Sequence, residues 1–134
     1  MKAAIHVLLA VAGAVSLTAS AAAQTTPTDP QIVGIVVAAN QIDIDYAKLA
    51  LSKTHDSQVR DFAQQMVTDH SALQKSVFDL GAKLHVTPAD SSTSASLKKQ
   101  AADTMAHLKT LNGAAFDKAY IDNEVGYHKA VITR

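Results

Sequence analysis

The stretch Val59-Arg60-Asp61-Phe62-Ala63-Gln64-Gln65-Met66-Val67-Thr68-Asp69-His70 decides the fold. Val59, Phe62 and Met66 recur at steps of three and four residues, and Leu73, Val77, Leu80 and Leu84 continue the series. Such spacing places apolar side chains on one face of a helix. Asp56 or Ser57 supplies an N-cap, so the spacing predicts one helix from there to about Leu84. At 1.5 Å per residue its length is roughly 40 Å. Gly81 near its end is a modest weakening.

Upstream, Asp29-Pro30 reads as an N-cap followed by proline at the first helical position, where the missing N–H costs nothing. From Pro30 to about Ser52, Ile32, Ile35/Val36, Ala39, Ile42, Tyr46 and Leu49/Ala50 keep helical spacing. Val33, Val37, Ile44 and Leu51 form a second, weaker stripe, so this helix requires more than one neighbour. The link to the next helix is only a few residues, which makes the two antiparallel. Downstream, Val86-Thr87-Pro88 breaks the long helix, and Asp90 to Ser94 is a polar connection. Ser94 or Ser96 caps a shorter helix to about Leu111, apolar at Leu97, Ala101, Met105 and Leu108. Asn112-Gly113 is a stop, and Asn112 also serves as a cap for the last helix. That helix starts near Ala114 and carries Phe116, Tyr120, Ile121, Tyr127, Val131 and Ile132. The periodicity is still running at Arg134, which reads as a bundle truncated at its C-terminus. No strand pattern and no internal repeat stands out. The expectation is an all-α antiparallel bundle over residues 30–134, three long helices and one short.

The N-terminus bears on location. Lys2, an apolar stretch from Ala3 to about Leu17 and the small residues Ala21-Ala22-Ala23 form the pattern of a secretory signal peptide over residues 1–23. Residues 24–29 then form a linker. The apolar core is too short and too rich in alanine and glycine to span a bilayer, which needs roughly 20 strongly apolar residues. The expectation is export to a periplasm or beyond, with no transmembrane span after cleavage. About 110 residues remain, enough for one small domain.

Composition narrows the function. The chain has 12 basic and 12 acidic side chains, and removing Lys2 leaves it near −1. That balance lacks the basic excess of a nucleic-acid binder. There is no cysteine, so thiolate metal sites, thiol nucleophiles and disulfides are absent. No Gly-x-Ser-x-Gly elbow and no phosphate-cradling glycine loop occurs.

Three segments together resemble a known family. They are Ala39-Asn40-Gln41-Ile42-Asp43-Ile44-Asp45 through Lys48-Leu49-Ala50-Leu51-Ser52, the 59–70 stretch, and Gly113-Ala114-Ala115-Phe116-Asp117-Lys118-Ala119-Tyr120 with Asn123-Glu124-Val125 and Tyr127-His128. This combination is similar to domain of unknown function 4142, a family of exported bacterial proteins labelled as outer-membrane or periplasmic. The resemblance runs from about Asp29 to the end. It implies a ferritin-like bundle whose last long helix, with a further histidine, is missing here. It implies no established activity.

Four ionisable residues fall on inward stripes. His70 lies between Met66 and Leu73, Asp43 between Ala39 and Tyr46, and Glu124 between Tyr120 and Tyr127. His128 is four residues beyond Glu124 and shares its face. Converging in the core, they form a candidate site for a divalent transition metal, as helical bundles build such sites. The structural alternative is a buried histidine bonded to Asp43 or Glu124, with Glu124 and His128 as a surface pair. A di-iron centre needs several glutamates and Glu-x-x-His pairs, whereas this chain has one glutamate and a four-residue spacing. A mononuclear Zn²⁺ or Cu²⁺ site from His70, His128 and a carboxylate fits the residue types. His55, His85 and His107 read as solvated, and Asp69 points away from the stripe.

The primary functional expectation is a non-enzymatic, exported envelope protein, structural or stress-protective. It would act by association with itself or an envelope partner, through the apolar face of its first helix. The alternative is a periplasmic metal-binding bundle using His70, His128, Glu124 and Asp43.

Overall fold

Thr28 rather than Asp29 is the N-cap of the first helix in the computed structural model, which describes residues 26–133. Gln31 reaches back to accept the Thr28 backbone N–H at 3.0 Å, satisfying one donor that the first turn leaves open. The chain forms four helices: α1 Asp29–Lys53, α2 Ser57–Leu84, α3 Ser92–Thr110 and α4 Gly113–Ile132. The described residues are all-α, with no strand. The expectations on residues 1–23 and on Arg134 lie outside the described residues.

The caps explain the boundaries. Asp56 accepts from the backbone N–H groups of Gln58 and Val59 at 2.9 and 3.0 Å, choosing between the two expected caps of α2. Ser91, not Ser94 or Ser96, caps α3, and the Ser94 hydroxyl instead accepts from the Ser91 N–H at 2.9 Å. This earlier start makes α3 19 residues long against 20 for α4, so α3 is not the short helix its spacing suggested. Asn112 precedes α4, and Gly113 takes φ +57°, a conformation that a side chain would strain.

α1 is the central element. It packs along α2 on one side and against α3 and α4 on others. Its middle is therefore buried almost all round, through Ala38, Ala39, Ile42, Ile44, Tyr46, Ala47 and Ala50. From Ala38 on, the two apolar stripes of α1 are met by these three neighbours, whereas Ile32 and Val36 in its first turns stay exposed. The connection from α2 to α3 crosses the first turns of α1, where the Ala89 N–H donates to the Pro30 carbonyl at 2.9 Å. A Cβ on Gly34 would sit 2.0 Å from the Ala89 oxygen, so only glycine admits that crossing.

The apolar core gathers at one end of the bundle. Tyr46, Ala47, Ala50, Ala63, Leu97, Leu108, Phe116 and Tyr120 are buried there. Alanines at 47, 50 and 63 let the α1 and α2 backbones approach closely. Phe116 and Tyr120 stack at 6.3 Å between ring centroids, and Phe62 tilts against Tyr120 at 6.1 Å. Lys53 ties two helix ends together, donating to the Lys109 carbonyl at 3.0 Å while its ammonium lies over the Phe116 ring.

α2 departs from the expected pattern. Only Ala63 and Gly81 of this helix are fully buried, and Leu73, Leu80 and Leu84 of the predicted apolar stripe are exposed. α2 packs mainly on α1 and meets α4 only through side chains such as Phe62 and His70, which leaves Leu73, Leu80 and Leu84 uncovered. The larger unpartnered apolar face thus belongs to α2, with Ile32 and Val36 of α1 adding a smaller one.

Candidate metal centre

Beyond the apolar end, each of three helices turns one or two polar side chains inward. Asn40 and Asp43 are buried on α1, one helical turn apart on a common face. α2 contributes His70 and α4 contributes Glu124 and His128. Asp43, His70 and His128 each offer a ligand atom, and these atoms lie within 4.8 Å of one another. Two donors about 2.1 Å from one ion are separated by no more than about 4.2 Å. At tetrahedral angles the separation is about 3.4 Å, so side-chain adjustments that shorten the longest separation by roughly 1.4 Å close the set.

Both imidazoles are oriented by an acceptor on Nδ1. His70 Nδ1 lies 2.9 Å from Asn40 Oδ1, and Asp43 Oδ2 is 3.6 Å from the same nitrogen. His128 Nδ1 lies 2.9 Å from the backbone carbonyl of Glu124, with Glu124 Oε2 at 3.7 Å. With these oxygens accepting, Nδ1 carries the proton and Nε2 carries the lone pair of the neutral ring. For His128 that is the arrangement of a metal-binding histidine, whose non-ligating nitrogen is held by an oxygen acceptor, whereas His70 turns its Nδ1 toward Asp43 as well as Asn40. The rings stand 5.7 Å apart between centroids.

Burial sets the protonation of the group. Desolvation pushes Asp43 up to about 6, opposed by the nearby His128. Desolvation, reinforced by the Asp43 charge, pushes Glu124 up to about 8. Burial and the neighbouring His128 lower His70, partly offset by Asp69, which favours its neutral, ligating form. Tyr120 is raised by burial and then by the Glu124 and Asp43 charges, so its phenol faces the same interior.

The hydrogen bonding of this interior is incomplete. Asp43 Oδ1, both Glu124 carboxyl oxygens, Asn40 Nδ2 and the Tyr120 hydroxyl are buried without a partner. Glu124 is only 2 % exposed, so it is a core residue and not half of a surface pair with His128. A buried acceptor left unmatched costs about 1–3 kcal/mol, and more when charged. A cation bound among these oxygens would offset that cost.

All four sequence-derived ligand candidates therefore lie in or beside one cluster, with Glu124 adjacent to the three-residue set. Asn40, the residue that orients His70, is absent from the candidates read from sequence. Its signal is an amide three residues before Asp43 within an apolar helix. His55, His85, His107 and Asp69 are exposed and lie outside the cluster.

Residues 14–134 match the family described as Domain of unknown function (DUF4142). The chain belongs to that family. No curated protein and no solved structure shows significant similarity to it. The DUF4142 match covers all four helices and every residue of the cluster. No helix among the described residues is long and apolar enough to cross a membrane.

Proposed function

We propose that this protein is an exported helical-bundle protein that binds one divalent transition-metal ion through Asp43, His70 and His128, with Glu124 beside them. The observation that carries this reading is the convergence of two oriented imidazoles and a carboxylate within 4.8 Å, among buried oxygens that lack hydrogen-bond partners. Two neutral imidazoles and one or two carboxylates suit Zn²⁺, Cu²⁺ or Fe²⁺, and the Irving–Williams order places Cu²⁺ first in affinity. The role is binding, with no turnover assigned. The ion supplies positive charge to a buried acidic cluster and links α1, α2 and α4. Export rests on the sequence pattern of residues 1–23.

The test is thermal unfolding of the protein followed by circular dichroism, with EDTA and with each of the three ions. An ion at 100 times its Kd stabilises by about 2.7 kcal/mol, which raises the melting temperature on the order of 10 °C for a domain of this size. The rise is expected to disappear in His70→Ala and in His128→Ala. Equal melting temperatures with EDTA and with all three ions would overturn the reading.

A second reading, association through a helix face, is supported by the exposed Leu73, Leu80 and Leu84 on α2. It predicts concentration-dependent sedimentation that Leu80→Lys abolishes, with metal binding unchanged.

A further inference from the structure

Between α2 and α4 lies a cleft of about 580 Å³, within the usual range for small-molecule sites. Phe62 and Met66 of α2 and Ile121 and Val125 of α4 line it with apolar surface. Glu124 and His128 supply its titratable side chains, and Gln58, exposed at the start of α2, is its other polar residue. Glu124 is almost fully buried, and neither carboxyl oxygen has a hydrogen-bond partner. An apolar cleft with one unmatched polar group is how a small-molecule site is built, the walls giving affinity and the polar group orientation.

The structure assigns this cleft, we infer, to an apolar small molecule of one or two rings that bears a single hydrogen-bond-donating head, a hydroxyl or an amine, placed against Glu124. The donor requirement comes from Glu124 itself. A carboxylate accepts only, and a carboxylic acid still has an accepting oxygen, so a donating head is matched in either form. A head that only accepts leaves at least one buried oxygen unmatched. The cleft volume exceeds a single ring and accommodates two. The site shares Glu124 and His128 with the proposed metal centre but does not need the ion, so it is testable in its absence.

The protein contains no tryptophan, so the fluorescence of a naphthalene probe is read without interference from indole. The probes are 1-naphthol, its methyl ether 1-methoxynaphthalene, which accepts but does not donate, and 1-(aminomethyl)naphthalene. Each is titrated into the protein in EDTA and again with Zn²⁺. Saturable binding of 1-naphthol is expected, with the methyl ether weaker by about tenfold, the worth of one net hydrogen bond. The amine distinguishes the two head groups, since whichever of the naphthol and the amine binds more tightly names the natural head. Glu124→Leu is expected to erase the preference for donors while retaining apolar binding. Val125→Trp, at a half-exposed position that tolerates a large side chain, is expected to fill the cleft and block every probe, read by equilibrium dialysis because this variant adds an indole.

Equal binding of naphthol and its ether, probe binding unaffected by Val125→Trp, or no saturable binding of any probe would each overturn the proposal. So would a wild-type dimer in sedimentation that Val125→Trp converts to monomer, because a second copy would then occupy the cleft. Metal binding without probe binding removes this proposal and leaves the metal reading intact. Probe binding in EDTA without any metal effect does the reverse.

Discussion

The two ends of the bundle solve different problems with the same helices. Around Tyr46, Ala50, Leu108 and Phe116, α1, α3 and α4 meet through apolar side chains packed face to face. Further along, around Asp43, His70, Glu124 and His128, α1 and α4 join α2 to surround carboxyl oxygens with no partner. Close packing stabilises the first region without further requirement. The second is costly unless something binds there. The contrast teaches that the fold is held at the apolar end, which leaves the polar end free to be unfavourable until it is filled.

Breaking the apolar end should have the largest effect. Phe116→Ala removes a fully buried ring that stacks on Tyr120. It is expected to cost about 3–5 kcal/mol, measured by urea unfolding, and to lower the apo and metal-loaded forms alike. A loss under about 1 kcal/mol, far below the usual range for a buried ring, would mean that this end is not where stability resides.

An intermediate effect of opposite sign is expected at the polar end. In the apo protein Glu124→Leu removes two unmatched oxygens and should stabilise by about 1–3 kcal/mol near pH 8. The sign with pH comes from linkage. Asp43 rises from 3.8 to about 6 and Glu124 from 4.5 to about 8 on folding, so the native state holds more protons than the unfolded chain between those values. Their contribution is fully present below the unfolded values and is lost as pH rises through the folded ones. His70 is lowered and acts in the opposite sense, but only below its unfolded value of 6.5. From about pH 6.5 to 8.5 the apo melting temperature should therefore fall, and Glu124→Leu should flatten that slope. A melting temperature that rises over this window would contradict the assignment of Glu124 as a buried, raised carboxyl.

The smallest effect belongs to a feature that serves both ends equally. Asp56→Ala removes the side-chain cap that accepts from Gln58 and Val59. A loss of about 1 kcal/mol is expected, with no change in metal response, read from the same melts with and without Zn²⁺.

Much of this is legible in the residues. The stripe from Val59 to Leu84 announces α2, and Asp56 before it marks its start. His70 and Asp43 declare themselves by interrupting apolar stripes, since a polar side chain inside such a stripe must find a partner or a function. Other features are hidden. Ser91 displaces Ser94 as the cap of α3 because both serines offer the same chemistry, and the geometry of the turn chooses between them. Asn40 is inconspicuous because an amide carries no charge to mark it. The exposure of Leu73, Leu80 and Leu84 is not visible either, since a stripe records which face is apolar and not what covers it.

The sequence by itself determined the helices, their antiparallel start and the placing of Asp43 and His70 within apolar stripes. These rest on periodicity, capping and loop length, all of which act within a few residues. Only the tertiary structure decided that α1 is central, that the larger open apolar face is on α2, and that Glu124 is buried beside the histidines. Those outcomes depend on how helices distant in sequence pack on one another. Packing is set by the fit of whole faces, with small residues such as Ala47 and Ala63 controlling how near two backbones approach, and no local spacing encodes that fit.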